Sequence, residues 1–510
     1  MNSNFYDSAA ARFPADAGVP FIEGESGASH SYADLRAISG RYARLLADLG
    51  VVKGDRVAVQ VEKSPEAVFL YLACLRAGAA YLPLNTAYTR AEIAYFLSDA
   101  QPRVFVCAPA TAEALRDTAA EAGVAALLTL DAHGHGTLAD RAAGLDPAFD
   151  TVACGPDDLA AILYTSGTTG RSKGAMLTHR NIAANAATLH RVWGFRPGDV
   201  LLHALPIFHT HGLFVAINCT LMNGGAMLFL PKFDVDAVFR LLPRATVMMG
   251  VPTFYTRLLA DPRLTRAAVA HMRLFISGSA PLLADTHKEF QARTGLPILE
   301  RYGMTETCML TSNPLDGARV PGSVGLPLPE VAVRVADEKT GAPLPPGAIG
   351  ILEVKGPNVF RGYWRMPEKT AAEFRADGFF ITGDVGRIDE AGYVHIVGRA
   401  KDLVISGGFN IYPKEVETVV DAIDGVVESA VVGVPHPDFG EAVVAVVLRR
   451  PGAEQPDAAA VIRACKEQLA NFKVPKAVIF AGELPRNAMG KVQKNLLRDA
   501  HKDLFDKRAA

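Results

Sequence analysis

Between two apolar runs lies Thr165-Ser166-Gly167-Thr168-Thr169-Gly170-Arg171-Ser172-Lys173, a segment of hydroxyl residues, two glycines and a lysine. Glycines let backbone N–H groups turn inward on an anion, while hydroxyls and a lysine add donors and charge. A loop of this make-up cradles phosphates. It is not the common P-loop, because no Gly-Lys-Ser/Thr follows Gly167 at the required spacing. The run before it, residues 160–164, is strand-like.

Four further motifs carry chemistry. Arg301-Tyr-Gly-Met-Thr305-Glu306 sets a hydroxyl and a carboxylate beside a glycine turn. Magnesium prefers one or two carboxylates together with substrate phosphates, which makes Glu306 a candidate ligand. Thr382-Gly-Asp384 places an acid after a strand expected over 379–381, where it could accept both hydroxyls of a ribose. Gly398-Arg399 offers a guanidinium to the same nucleotide, and Pro485-Arg-Asn-Ala-Met-Gly-Lys491 presents a lysine near the C-terminus. Each motif alone is weak; their joint occurrence in this order is specific.

The elements that must position these residues follow from hydrophobic spacing. Helical patterns over 33–49, 66–76 and 91–97 alternate with strand patterns over 57–61, 81–84 and 104–107, which predicts α/β layering with parallel strands. Residues 124–150, with His133 and His135, read as a surface excursion, and a loop composition makes a metal there the weaker reading. Residues 213–230 lack formal charge but are broken by Asn218, Asn223, Gly224 and Gly225, so a buried helix and a strand are expected rather than a membrane span. After about residue 327, short β patterns over 331–335, 350–354 and 392–397 predict a β-rich part. A compact α+β tail follows, with strands expected over 403–405, 426–433, 442–449 and 477–480 and helices over 413–420 and 458–469.

Composition bounds the possibilities. The 510 residues are 49% hydrophobic and 21% charged with a net charge of -2, an ordinary globular balance with length for about three or four domains. Near-neutral charge provides no basic patch, so nucleic acid is not an expected partner, and the broken apolar run 213–230 makes a membrane no expected partner either. The six cysteines, Cys74, Cys107, Cys154, Cys219, Cys308 and Cys465, form no C-x-x-C pair and fit a reduced compartment. Residues 1–13 mix Asn, Asp and Arg without the apolar core of a secretory signal, so a cytoplasmic location is expected.

Taken together, the segment 165–173, Arg301 to Glu306, Thr382 to Asp384, Gly398 to Asp402 and Pro485 to Lys491 resemble the adenylate-forming superfamily of acyl- and aryl-CoA synthetases, luciferases and adenylation domains. The resemblance covers essentially the whole chain. It implies an α/β multidomain fold: a large N-terminal domain of two α/β subdomains plus a β-barrel (residues 1–398), a hinge (399–402) and a small mobile α+β C-terminal lid (403–510). It also implies two half-reactions, in which a carboxylate attacks the α-phosphate of ATP to give an acyl-adenylate and pyrophosphate, and a thiol then displaces AMP. ATP, Mg2+ and coenzyme A are the implied cofactors. Such chemistry rests on positioning and charge neutralisation more than on covalent help.

By that resemblance Thr165, Ser166, Gly167, Thr168, Thr169, Gly170 and Lys173 hold the β- and γ-phosphates. Thr305 contacts the α-phosphate, Glu306 binds magnesium, and Asp384 and Arg399 hold the ribose. Lys491 touches the carboxylate and α-phosphate during adenylation. The hinge falls on Lys401, and rotation about it exchanges Lys491 for Ser406-Gly407-Gly408 at the thiol tunnel. In relatives, acetylation of this lysine switches the enzyme off, so an acetyltransferase and a deacetylase acting on Lys491 are further expected partners.

The acid is read from a different set. Adenylation domains for amino acids need an acid to pair the ammonium, and Leu205-Pro-Ile-Phe-His209-Thr210-His211-Gly212 offers none. Arg257 and Arg301 instead place cations in segments the superfamily uses around the acyl site, with Ser279 nearby in sequence type. A buried arginine lacking an anion is costly, so two of them suggest a substrate with a second carboxylate. Pairing with Glu300 or Asp285 is the alternative for either arginine. The wording of residues 250–257, 276–282, 300–307 and 485–491 is similar to that of the malonyl-CoA synthetase branch. It implies that Arg257, Arg301, Ser279 and a histidine of His209-Thr210-His211 receive the distal carboxylate of malonate. Thr210 and Met309 would limit branching at the α-carbon, so methylmalonate is tolerated poorly to moderately. The alternatives are another short or aryl acid as substrate, or a carrier-protein thiol as acceptor.

Overall fold

The computed structural model describes residues 2–25, 27–165, 172–406, 409–452 and 455–505, without the side chain of Asn410. The chain forms two compact units, one of Met1–Ala332 with Val354–Phe380 and the other of Val333–Glu353 with Ile381–Ala510.

Two sheets build the first unit. Nine strands lie in the order Leu326–Pro327, Cys308–Ser312, Leu299–Met304, Leu274–Ser277, Val247–Gly250, Val200–His203, Ala226–Phe229, Pro20–Gly24, Ser29–Ser31. The six from Leu299–Met304 to Pro20–Gly24 are parallel. Seven strands form the other sheet, in the order Gly362–Tyr363, Lys173–Thr178, Leu159–Thr165, Ala80–Pro83, Arg56–Gln60, Val104–Cys107, Ala126–Thr129. Parallel strands are covered on both faces and so read as apolar runs rather than alternations; every residue of Val247–Gly250 and Leu274–Ser277 is buried. Helix Pro65–Arg76 is buried at every position from Ala67 onward, which explains its nearly continuous apolar sequence. Ser31, Thr89 and Thr178 start their helices with capping boxes that satisfy otherwise orphaned N–H groups.

The second unit holds a four-stranded sheet, Ala332–Ala336, Gly350–Lys355, Phe380–Ile388 and Val394–Arg399, and a five-stranded one. In the latter the hairpin Val426–His436 and Gly440–Arg449 is the centre, flanked by Val404–Ser406 and Ala477–Ala481 and packed against helices Pro413–Asp421 and Ala458–Gln468.

The expected α/β layering and α+β tail are both present. Residues 213–230 fold as a π-helix to Ile217, the helix Asn218–Asn223 and the strand Ala226–Phe229. Two expectations need correction. Residues 124–150 are not wholly a loop, since Ala126–Thr129 is the edge strand of the seven-stranded sheet and Thr137–Ala142 a short helix. The strand expected to stop at residue 381 continues to Ile388, so Asp384 lies within it. Strand Phe409–Ile411 and helix Lys494–His501 had no clear sequence signal. No described helix is long and apolar enough to cross a membrane.

Candidate active site

Parallel topology explains why residues far apart in sequence meet. In the nine-stranded sheet Met249 pairs with His203, Gly250 with Ser277, and Ser277 with Glu300. The C-terminal ends of Val200–His203, Val247–Gly250 and Leu274–Ser277 are therefore nearly level with the start of Leu299–Met304, and such a strand edge forms the usual ligand crevice of an open α/β sheet. From it emerge His209-Thr210-His211, Gly278-Ser279 and Arg301.

Arg301 is 3% exposed, and its Nε and Nη2 have no hydrogen-bond partner. Burial pulls its guanidinium down to about 10. Buried His209 is pushed down to about 4 by desolvation and by Arg301, and His211 well below the usual histidine value by the same causes. Both imidazoles are thus neutral at physiological pH. His211 Nδ1 lies 3.2 Å from Ser279 Oγ, while His211 Nε2, His209 Nδ1, Thr210 Oγ1 and Ser277 Oγ are buried without partners. Ser279 sits at φ 71°, the left-handed region that non-glycine residues enter mainly under constraint, often at functional sites. Buried polar groups are normally hydrogen-bonded, and so many unpaired ones around one cation describe a cradle for a carboxylate.

Arg257 follows the neighbouring strand Val247–Gly250. It is exposed on helix Pro252–Leu259, two residues beyond the fully buried Tyr255 and so on the opposite side of the helix. Asp285 pairs with Lys288 at 3.5 Å, and Glu300 Oε1 accepts the N–H of Leu282. Met309 is buried on the strand Cys308–Ser312. Its carbonyl accepts Nδ2 of both Asn185 and Asn358 at 2.9 Å, so two asparagines fix the strand bearing it.

The residues expected to hold phosphate lie in the same unit. Thr165 and Lys173 are opposed across the hairpin of Leu159–Thr165 and Lys173–Thr178. Ser166, Gly167, Thr168, Thr169 and Gly170 lie outside the described residues. Lys173 Nζ is 3.3 Å from Glu373 Oε1 and 4.3 Å from the centre of the Tyr363 ring. Glu306, 5% exposed, and half-buried Thr305 occupy the tight turn between Leu299–Met304 and Cys308–Ser312. Gly303 is required in that hairpin, because a Cβ there would stand 1.9 Å from the carbonyl oxygen of Cys308.

The Tyr363 hydroxyl is 3.0 Å from Glu306 Oε1 and 2.7 Å from Glu373 Oε2, so its one hydrogen serves two carboxylates. Burial and the two carboxylates raise its phenol far above the usual range. Burial also pushes Glu373 up, but Lys369, Tyr363 and Lys173 outweigh it and hold the carboxyl below its usual value. Among the described residues no three His, Cys, Asp or Glu side chains gather as a metal cage. A magnesium ion carried mainly by phosphates needs only one or two carboxylates, and buried, pre-oriented Glu306 fits that demand.

In the second unit, Asp384 and Arg399 face each other on paired strands, with Arg399 Nε 2.8 Å from Asp384 Oδ1. Thr382 Oγ1 accepts the N–H of Asp384 and donates to the carbonyl of Leu352. Lys401 is exposed in the turn Ala400–Asp402, whose Asp402 pairs with Arg498 Nη2 at 2.6 Å. Ser406 is buried at the end of its strand, and Gly407 and Gly408 lie outside the described residues. Lys491 closes a tight turn: Asn487 Oδ1 accepts the N–H groups of Met489 and Lys491, and Arg486 donates to Gly490 O while pairing with Glu428. Burial, then the charge of Arg399, pushes the Lys491 ammonium down to about 8.

Tyr363, Glu373, Asn185, Asn358 and Asn487 had not been singled out from sequence. Asn487 alone had a local signal, an Asx turn four residues before the lysine.

This geometry agrees with what the chain is similar to. Residues 6–364 match the AMP-binding enzyme family model and residues 415–491 its C-terminal domain. The chain belongs to the AMP-binding enzyme family. Within it, the solved structure of ATP-bound MatB from Rhodopseudomonas palustris is 61% identical with a TM-score of 0.97, covering 99% of this chain and 100% of that one. Curated relatives include the feruloyl-CoA synthase of an Amycolatopsis species, 38% identical over 92% of this chain and 94% of that protein. The malonate–CoA ligase of Arabidopsis thaliana is 34% identical over 92% of this chain and 84% of its own.

Proposed function

We propose that the protein is an acid–thiol ligase that joins malonate to coenzyme A at the expense of ATP, through a malonyl-adenylate. One malonate oxygen bonds to the α-phosphorus as the bond to pyrophosphate breaks, and the CoA sulfur then bonds to the acyl carbon as AMP leaves. The observation that carries the choice of acid is Arg301, buried with unpartnered donors among two neutral histidines and Ser279. A dicarboxylate uses one carboxylate for chemistry and leaves the other to be held, which is what a buried cation and neutral donors do well. The likeness to MatB and to a malonate–CoA ligase supports the same acid.

The roles of individual residues belong to this proposal. The loop from Thr165 to Lys173 grips the β- and γ-phosphates, Thr305 meets the α-phosphate, and Asp384 with Arg399 takes the ribose. Thr210 and Met309 limit bulk at the α-carbon, so methylmalonate is the weaker substrate; one methyl is worth about 1–3 kcal/mol in such a pocket. Glu306 would hold Mg2+, which when bound neutralises phosphate charge. Lys491 serves adenylation, the segment Gly398 to Asp402 turns at Lys401 between half-reactions, and Ser406 to Gly408 line the thiol path. Acetylation of Lys491 by an acetyltransferase, reversed by a deacetylase, removes the charge that adenylation needs. Purified protein incubated with malonate, ATP and CoA is expected to yield malonyl-CoA, AMP and pyrophosphate in equal amounts by mass spectrometry. Formation of ADP and phosphate instead would exclude the adenylate route.

A further inference from the structure

Behind the His209-Thr210-His211 turn lies a second basic pair. Lys63 Nζ is 2.8 Å from His203 Nδ1 and 2.9 Å from His203 O, and it lies 4.1 Å from the centre of the Phe229 ring. The other ring nitrogen of His203, Nε2, is 2.9 Å from the carbonyl oxygen of Gly212. That carbonyl can only accept, so Nε2 carries the hydrogen, and the Nδ1 lone pair receives a Lys63 N–H. The three groups form one directional chain, Lys63 to His203 to Gly212.

Gly212 is the residue after His211, within the π-helix His211–Ile217. π-Helical turns are rare and are found mostly at functional sites. This one has no slack: a Cβ on Gly212 would stand 2.0 Å from Pro206 O, so the backbone returns directly onto the start of its own loop. Lys63 follows strand Arg56–Gln60 of the seven-stranded sheet, whereas His203 ends strand Val200–His203 of the nine-stranded one. The contact therefore ties both sheets to the turn that aims His211 at Ser279.

We propose that Lys63 is a positioning residue for the acid: it locks His203 in the Nε2–H tautomer, which holds Gly212 and thereby sets Thr210 and His211 against the distal carboxylate. This rests on the acid pocket assigned above. The test is steady-state pyrophosphate release by Lys63→Met, with malonate and ATP varied in turn. The malonate KM is expected to rise about tenfold, the effect of one misplaced hydrogen-bonding group, with the ATP KM and kcat at saturating malonate within about twofold of wild type. Lys63→Arg, which keeps the donors, should recover part of the loss. Should Lys63→Met fold poorly by circular dichroism, His203→Gln provides the same reading, because its amide keeps a donor for Gly212 but breaks the tautomer lock.

An unchanged malonate KM, or a matching loss in ATP KM and kcat, overturns the positioning role. Wild-type turnover of malonate, measured alongside, keeps this separate from the substrate reading. If wild type ignores malonate, the substrate reading falls, and the variant is judged by the same split with the acid that wild type prefers.

Discussion

Gly278 lies beneath the guanidinium of Arg301: a Cβ on that glycine would stand 2.4 Å from Arg301 Cζ and 2.5 Å from Nη1. The glycine is required by the arginine, not by backbone conformation, and the two residues form one binding device. Gly278→Ala must displace the cation and Arg301→Met removes it. Truncating one partner of a buried charge pair costs about 2–5 kcal/mol. Both variants should raise the malonate KM, Arg301→Met by at least about thirtyfold, with little change for ATP. An unaltered malonate KM in Arg301→Met would remove its assigned role.

Tyr363 supplies the only hydrogen of its hydroxyl to both Glu306 and Glu373. In Tyr363→Phe the two carboxylates lose that shared donor, and a hydrogen bond to a charged group contributes about 1.5–3 kcal/mol. Urea unfolding should show a loss of this size, and the magnesium concentration for half-maximal activity should shift. Wild-type stability and magnesium response would show that the bridge contributes nothing.

The Lys491 ammonium, pushed down to about 8 by burial, is charged below that pH and neutral above it. Raising the pH therefore removes the charge on which the proposed adenylation role of Lys491 depends. In the free enzyme, kcat/KM for adenylate formation should fall as pH rises through about 8, and Lys491→Gln should abolish both the activity and this limb while still converting supplied malonyl-adenylate to thioester. A flat profile from pH 7 to 9 would contradict the assignment.

Lys401 is exposed in the short turn Ala400–Asp402. Fixing φ there with proline restricts rotation at the proposed hinge. Lys401→Pro should retain malonyl-adenylate formation and lose thioester formation, measured as separate half-reactions. Equal loss of both would argue against a hinge at this position.

Much of the fold was legible because parallel strands buried on both faces appear as short apolar runs, such as Val104-Phe-Val-Cys107, set between helical patterns. The strand Phe380–Ile388 is longer than the apolar run 379–381 predicts, because Gly383 and Asp384 have low strand preference. Pairing with Val394–Arg399 overrides that local preference. Arg301 was legible as a candidate because it stands in a segment that the superfamily uses around the acyl site. That Arg257 stands on the exposed side of its helix was not legible, since spacing alone does not give the face that opens to solvent. The Lys63–His203–Gly212 chain joins residues 140 and 9 positions apart, and no local pattern marks it.

The central claim is adenylation of a small dicarboxylate. Its most direct test is pyrophosphate release with ATP, Mg2+ and CoA across a panel of malonate, methylmalonate, acetate, hexanoate, benzoate and ferulate. Malonate should give the highest kcat/KM, with methylmalonate next and the monocarboxylates far below. Hexanoate, benzoate or ferulate turned over far better than malonate would contradict it.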